Sequence, residues 1–206
     1  MLGTLFTNPL LFIIWAVALV LAIAIHEYAH ARAADTLGDP TPRALGRLTL
    51  DPRAHLDPLG TLMLLVLGFG WGRPVEFDPY NLRSPRRDGA LIALAGPVSN
   101  LLFALVLALF TRILPTSAYF LVPIFSILIS MNIGLAIFNL VPVFPLDGEK
   151  ILLGLLPRQL AYEYQAIMRQ YGTIILVLLL LPIAGGSSPI SLLISPIIRF
   201  ISSFLL

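Results

Sequence analysis

Five consecutive residues, His26-Glu27-Tyr28-Ala29-His30, have the types and spacing to do chemistry. On an α-helix, His26 and His30 stand one turn apart and share a face. Two imidazoles so placed can grip one zinc ion, and Glu27 is positioned to act as general base toward a water on that ion. The pattern follows an uncharged apolar run, residues 9–25, rather than lying on a polar helix. Each ionisable residue near the centre of a bilayer costs about 2.5–3.5 kcal/mol on insertion scales. Three of them in five positions need a compensating interaction, which a metal supplies more readily than a helix of merely hydrogen-bonded histidines. A hydrolytic zinc site also wants a third protein ligand and an open position. The chain has no cysteine, so that ligand must be His, Asp or Glu. Asp147 is the leading candidate, because it follows an apolar segment on Pro-flanked backbone. His55, Asp57 and Glu149 compete with it.

The elements that must position these residues belong to a membrane. Of 206 residues, 58% are hydrophobic and only 12% charged, a balance unlike that of a soluble domain. The net charge of +2 is spread over loops, and no basic tract points to nucleic acid. Residues 1–8 lack a positive n-region and a cleavage site, so residues 9–31 read as a retained span of sufficient length. Further spans are expected over 89–110 and 118–140, and a last apolar pair over 171–183 and 189–206. The fold class is thus an all-α polytopic membrane protein with about five transmembrane helices. Residues 46–77 depart from that pattern. Residues 46–52 could form a short strand, the run 59–69 is too short to cross and reads as re-entrant or buried, and 71–77 read as an extended, Gly/Pro-bounded edge. Residues 72–77 could capture an extended substrate by strand addition. Residues 149–172 read as an interfacial amphipathic helix. The chain is taken as one domain, 1–206, with a core of about 9–148 and a C-terminal helical part over 149–206.

Positive charges give the topology. If 59–69 does not cross, Arg32, Arg43, Arg47, Arg53, Arg73, Arg83, Arg86 and Arg87 share one side. Lys150, Arg158 and Arg169 join them after two more spans, while Arg112 faces the other way. This places the N-terminus outside, the large loops in the cytoplasm, and His26, His30 and Asp147 at similar depth near the cytoplasmic side of the cell membrane. Gly96 and Pro97 inside a span suggest close helix approach or a local break, and Asn100 needs a polar partner. Pro142 and Pro145 force irregular backbone, and Gly148 allows a tight turn after Asp147.

Taken together, His26-Glu27-x-x-His30, Gly96-Pro97-x-x-Asn100 and Asn139-Leu140-x-Pro142-x-x-Pro145-Leu146-Asp147-Gly148 resemble the site-2 protease family of intramembrane zinc metalloproteases. The resemblance covers about residues 23–148 in the expected order. The segments Gly38-Asp39-Pro40-Thr41-Pro42 and His55-Leu56-Asp57-Pro58-Leu59-Gly60 are similar to the short bacterial and archaeal branch. There is no room for an inserted PDZ-like domain or an appended nucleotide-sensing domain. The resemblance implies that His26, His30 and Asp147 bind one zinc ion and that Glu27 moves the proton. It implies that Asn139 helps place the scissile carbonyl, and that Gly96, Pro97 and Asn100 shape helix packing, with Pro142 and Gly148 completing the Asp147 motif. The expected partner is a membrane-protein substrate, a single-span helix that must be locally unwound; self-association stays open. Two rival readings are a catalytically silent membrane scaffold and a zinc transporter. A scaffold would lack a ligand or the base, and none is missing. A transporter would need ionisable residues on several spans.

Overall fold

Asn8 starts the first long helix. Its side chain accepts the Leu11 N–H at 3.0 Å, and Pro9 takes the first helical position, where its missing N–H has no partner to lose. In this computed structural model, residues 2–67, 71–183 and 186–206 are described. A short helix α1 (Leu2–Thr7) leads into α2 (Pro9–Thr36). At 28 residues, α2 is roughly 42 Å long. It continues five residues beyond the expected end at residue 31. Arg32, Ala33 and Ala34 favour helix, and the chain leaves it only where Gly38 adopts φ +109°, a left-handed conformation.

The intervening loops hold α3 (Thr41–Ala44) and α4 (Pro58–Leu67). Residues 46–52 form no strand; Asp51 instead caps a 3₁₀ turn at Pro52–Ala54. Among the described residues the expected strand character is reduced to one antiparallel bridge, Leu56 with Gly72, next to an Arg73 N–H bond to the His55 carbonyl at 2.7 Å. Pro74 cannot donate, and Gly72 has no side chain to pair, so the ladder does not propagate. The run 59–69 is helical as far as Leu67, and its remainder lies outside the described residues.

Helix α5 (Pro85–Arg112) is the central element and packs against α2, α6 (Val122–Asn139) and α7 (Asp147–Leu155). The contact surfaces are built of small residues, with Ala18, Ala22, Ala31 and Ala34 on α2 and Ala93, Ala104 and Ala108 on α5 all buried. Small side chains let backbones approach closely where lipid offers no hydrophobic drive to associate. Ile129, Ile133 and Ile137 of α6 pack on Ala104 and Ala108. Outward-facing Leu10, Ile13 and Val17 remain 52–67% exposed, an apolar face that suits hydrocarbon better than water.

The C-terminal part differs from the expected helix over 149–172. Pro157 lacks the N–H that would continue α7, and Leu156 turns extended at ψ 148°. The helix therefore breaks, and α8 (Arg158–Leu180) fuses the polar stretch with the apolar one in a single rod. Helix α9 (Pro189–Leu205) returns against α6. Three stretches, Pro9–Thr36, Pro85–Arg112 and Thr116–Asn139, are long and apolar enough to cross a membrane, and α9 is a shorter apolar helix. The expected count of about five is met only loosely.

Candidate metal centre

Helix α2 places His26 and His30 on its buried face, with ring centroids 4.5 Å apart and nearly perpendicular planes. Asp147 reaches them from the start of α7, across an irregular connection. Val141, Val143 and Leu146 anchor that connection against Leu176 of α8 and Ile190 of α9. Its Phe144–Pro145 peptide is cis. Tyr164 of α8 donates its hydroxyl proton to the Pro142 carbonyl at 2.7 Å. Burial first, and the Glu149 charge second, push the Tyr164 phenol up to about 12, so it stays a donor.

Asp147 Oδ2 lies 2.9 Å from His26 Nε2 and 3.2 Å from His30 Nε2. The opposite nitrogens are already committed. His30 Nδ1 donates to the Ile92 carbonyl at 2.7 Å, since a carbonyl can only accept. His26 Nδ1 meets Asn100 Oδ1 at 2.6 Å. The Asn100 amide is oriented by its own donors, which bond the Ala22 carbonyl at 3.0 Å and Asn132 Oδ1 at 2.8 Å. Asn132 in turn donates to the Leu128 carbonyl. This network assigns the proton of each neutral ring to Nδ1. Both Nε2 lone pairs then face a carboxylate oxygen. Three electron-rich atoms converge within 4.8 Å of one another, an arrangement that calls for a cation. Rings tied back through their second nitrogen are also how proteins orient metal-binding histidines. The donor set, two imidazole nitrogens and one carboxylate oxygen, fits zinc.

Gly96 makes room for the two rings. A Cβ there would stand 2.5 Å from His30 Cε1 and Nε2 and 2.7 Å from His26 Cε1. Gly96 and Pro97 lie within the continuous helix α5, so close approach, not a break, is what they provide. Gly148 serves the same end. Its φ is not positive, so the expected turn is not the reason for it; a Cβ would meet the Leu140 and Val141 carbonyls at 2.4 Å.

Among the described residues, only His26, His30 and Asp147 bring three such ligand atoms together. His55 is buried, with Nε2 bonded to the Thr49 carbonyl at 2.7 Å. Asp57 accepts the Gly60 N–H at 2.7 Å at the start of α4. Glu149 is buried on α7, and burial pushes its carboxyl up despite Lys150 and Arg169. Asn139 is half-buried and donates to the Leu135 carbonyl of its own helix at 3.0 Å.

Glu27 is half-buried beside the cluster, and its Oε2 accepts the Val75 N–H at 3.2 Å. Gly72 lies close as well, since a Cβ there would be 3.6 Å from Glu27 Oε1 and 3.2 Å from Ile23 Cγ2. The segment expected as a substrate-capturing edge thus leans on the carboxylate. Sequence reasoning did not anticipate this contact. Its only signal was the side-chain-free Gly72 and the Gly/Pro bounds of the segment.

A family model described as "Peptidase family M50" matches residues 115–179. The chain is 44% identical over 149 residues to "Putative zinc metalloprotease YwhC" of Bacillus subtilis, covering 68% of each chain. It is 33% identical over 141 residues to "Putative zinc metalloprotease Rip2" of Mycobacterium tuberculosis, covering 65% of this chain and 53% of that one. It is 32% identical over 146 residues to "Putative zinc metalloprotease MJ0611" of Methanocaldococcus jannaschii, covering 69% and 71%. No solved structure matches.

Proposed function

The chain belongs to peptidase family M50, and from that premise we propose that it cuts a peptide bond of a membrane-protein segment within or beside the bilayer. It is a zinc metallopeptidase and a membrane protein. In this reading His26, His30 and Asp147 hold the ion. The observation that carries it is the convergence of His26 Nε2, His30 Nε2 and Asp147 Oδ2, with Glu27 one residue along the same helix. Zinc held there supplies Lewis acidity, which makes water nucleophilic near neutral pH and polarises a carbonyl.

The chain's own residues do the rest. The Glu27 carboxylate takes a proton from the attacking water and hands it to the departing amine nitrogen. Asn100 and the Ile92 carbonyl hold the imidazoles at a fixed angle through their Nδ1 protons. Asn139, at the end of α6, polarises or places the scissile carbonyl through the second N–H of its side-chain amide, the first being given to the Leu135 carbonyl. The substrate is a single-span helix, locally unwound so that a peptide bond is accessible. The excess of basic residues on one side supports an N-terminus outside and a site near the cytoplasmic face of the cell membrane.

The test uses wild type and Glu27→Gln purified in mild detergent. Both are expected to hold about one zinc per chain. Only wild type should cut a single-span substrate carrying a helix-breaking residue, with the variant slower by about 10²–10⁴. If both retain zinc and neither cuts, the scaffold reading replaces this one.

A further inference from the structure

Arg47 lies in the loop after α3 and is 4% exposed. A buried guanidinium normally faces a carboxylate. Among the described residues Arg47 has none at ion-pair distance. Its donors go instead to three backbone carbonyls. One is that of Ala54, and the others are those of Arg73 and Pro74, the last at 3.0 Å. The planar fork therefore ties two loop segments together. The next residue after Pro74 is Val75, whose N–H donates to Glu27 Oε2 at 3.2 Å. Val75 itself is buried, and Gly72 packs against Ile23 and Glu27 of α2. The His55 carbonyl, one residue beyond Ala54, accepts the Arg73 N–H. Burial disfavours charge on Arg47, and the carboxylate of Glu27 is the foremost group favouring it.

From this arrangement we propose that Arg47 is a positioning residue for Glu27: its guanidinium fixes the backbone at Arg73 and Pro74 so that the Val75 N–H holds one carboxylate oxygen of the base. The proposal rests on the reading of Glu27 as the proton carrier. Glu27 needs such help because it is the site residue not tied down by α2's own neighbours. Its two flanking histidines each have a bond to α5, through Asn100 and Ile92. Glu27 has the loop. The bond to Oε2 limits the rotation of the carboxylate while Oε1 takes the proton, and an Å of misplacement at a reacting group can cost about 10²-fold. Lysine is a poor substitute, since an ammonium on one stem cannot serve the Ala54 and Arg73–Pro74 carbonyls in the same planar geometry.

The experiment compares wild type, Arg47→Met, Arg47→Lys, Val75→Pro and the Arg47→Met/Val75→Pro double variant in one detergent. It measures bound zinc, kcat and KM on the single-span substrate, and amide exchange over residues 71–77, with Glu27→Ala added for exchange. Zinc content is expected to match wild type throughout. For Arg47→Met and Val75→Pro, kcat should fall about 10- to 100-fold with KM within about twofold. Lysine should recover part of the loss. The double variant should be no slower than the slower single variant, because both changes release the same bond. Exchange over 71–77 should rise in Arg47→Met and in Glu27→Ala alike. Multiplying effects in the double variant overturn the proposal. A rise in KM at unchanged kcat overturns it in favour of substrate capture by the segment, and a rise in kcat overturns it in favour of an inhibitory cap. A wild type that cuts nothing overturns the hydrolase reading, whereas unchanged exchange in Arg47→Met overturns the positioning role alone.

Discussion

The site has two walls of different construction. The wall behind the ligands is helical: α2, α5 and α6 present His26, His30, Asn100 and Asn132, all buried and all bonded to one another or to helix backbone. The wall behind Glu27 is loop, held by Arg47 and by Asp39. Asp39 is fully buried and accepts four bonds: from the Thr41 N–H and hydroxyl, the Asp78 N–H and the Asn81 amide. A metal tolerates little error in its ligands and is served by rigid elements. In the proposed reaction Glu27 meets and releases a proton beside a backbone that admits substrate, and a loop of lower local stability can serve that role.

Three substitutions test that division, from the largest effect down. Gly96→Ala drives a methyl into both rings of the helical wall. Overpacking of this kind costs about 1–3 kcal/mol, and the rings have no room to retreat, so the variant should lose its zinc and all cleavage with it; metal analysis of the purified protein decides this. Asn100→Ala leaves space but removes the acceptor of His26 Nδ1. Zinc should bind about 10- to 100-fold more weakly, as read by competition with a chelator.

Asp39→Asn addresses the loop wall and should leave zinc affinity alone. Burial opposes the charge of Asp39, but the side-chain donors of Thr41 and Asn81 and the backbone N–H groups of Asp78 and Thr41 outweigh it and hold the carboxyl below its usual range. A depressed native pKa stabilises the fold above the unfolded value and loses that contribution as pH falls through the native one. Thermal unfolding should therefore show Asp39→Asn less stable by about 1–3 kcal/mol at neutral pH. The gap should close as the pH drops below about 4. If Asp39→Asn instead weakens zinc as much as Asn100→Ala does, the two walls are one unit and the comparison fails.

The two walls were also unequally legible in the sequence. His26 and His30 are neighbours by helical period alone, and the apolar runs around them announce α2, α5 and α6. Asp147 is marked by its prolines, and the resemblance to the family's motif implies its place among the ligands. Gly96 signalled a close approach, though not that the approaching groups would be the imidazoles. The loop wall was hidden because its contacts are non-local and made by backbone. Nothing in the spacing of Arg47, Pro74 and Val75 says that a guanidinium would seek carbonyls, or that an amide would seek Glu27 across 48 positions. The edge expected over 71–77 pairs as a strand only at the Leu56–Gly72 bridge for a related reason: beyond it the partners are the Arg47 and Glu27 side chains, not a second strand. The helix expected over 149–172 failed at Pro157, where amphipathic periodicity runs on but the backbone cannot.

The Asn100 amide has one further consequence, as a gauge of depth. It joins the Ala22 carbonyl and His26 of α2 to Asn132 of α6, and through it Leu128. Sliding any of the three helices along its axis by a single residue would shift it about 1.5 Å, more than a hydrogen bond at 2.6–3.0 Å can absorb. Apolar faces alone slip past one another at little cost, because lipid and leucine are equally oily. The two asparagines thus lock the axial register of the bundle, and with it the height of His26 along the bundle axis relative to α5 and α6.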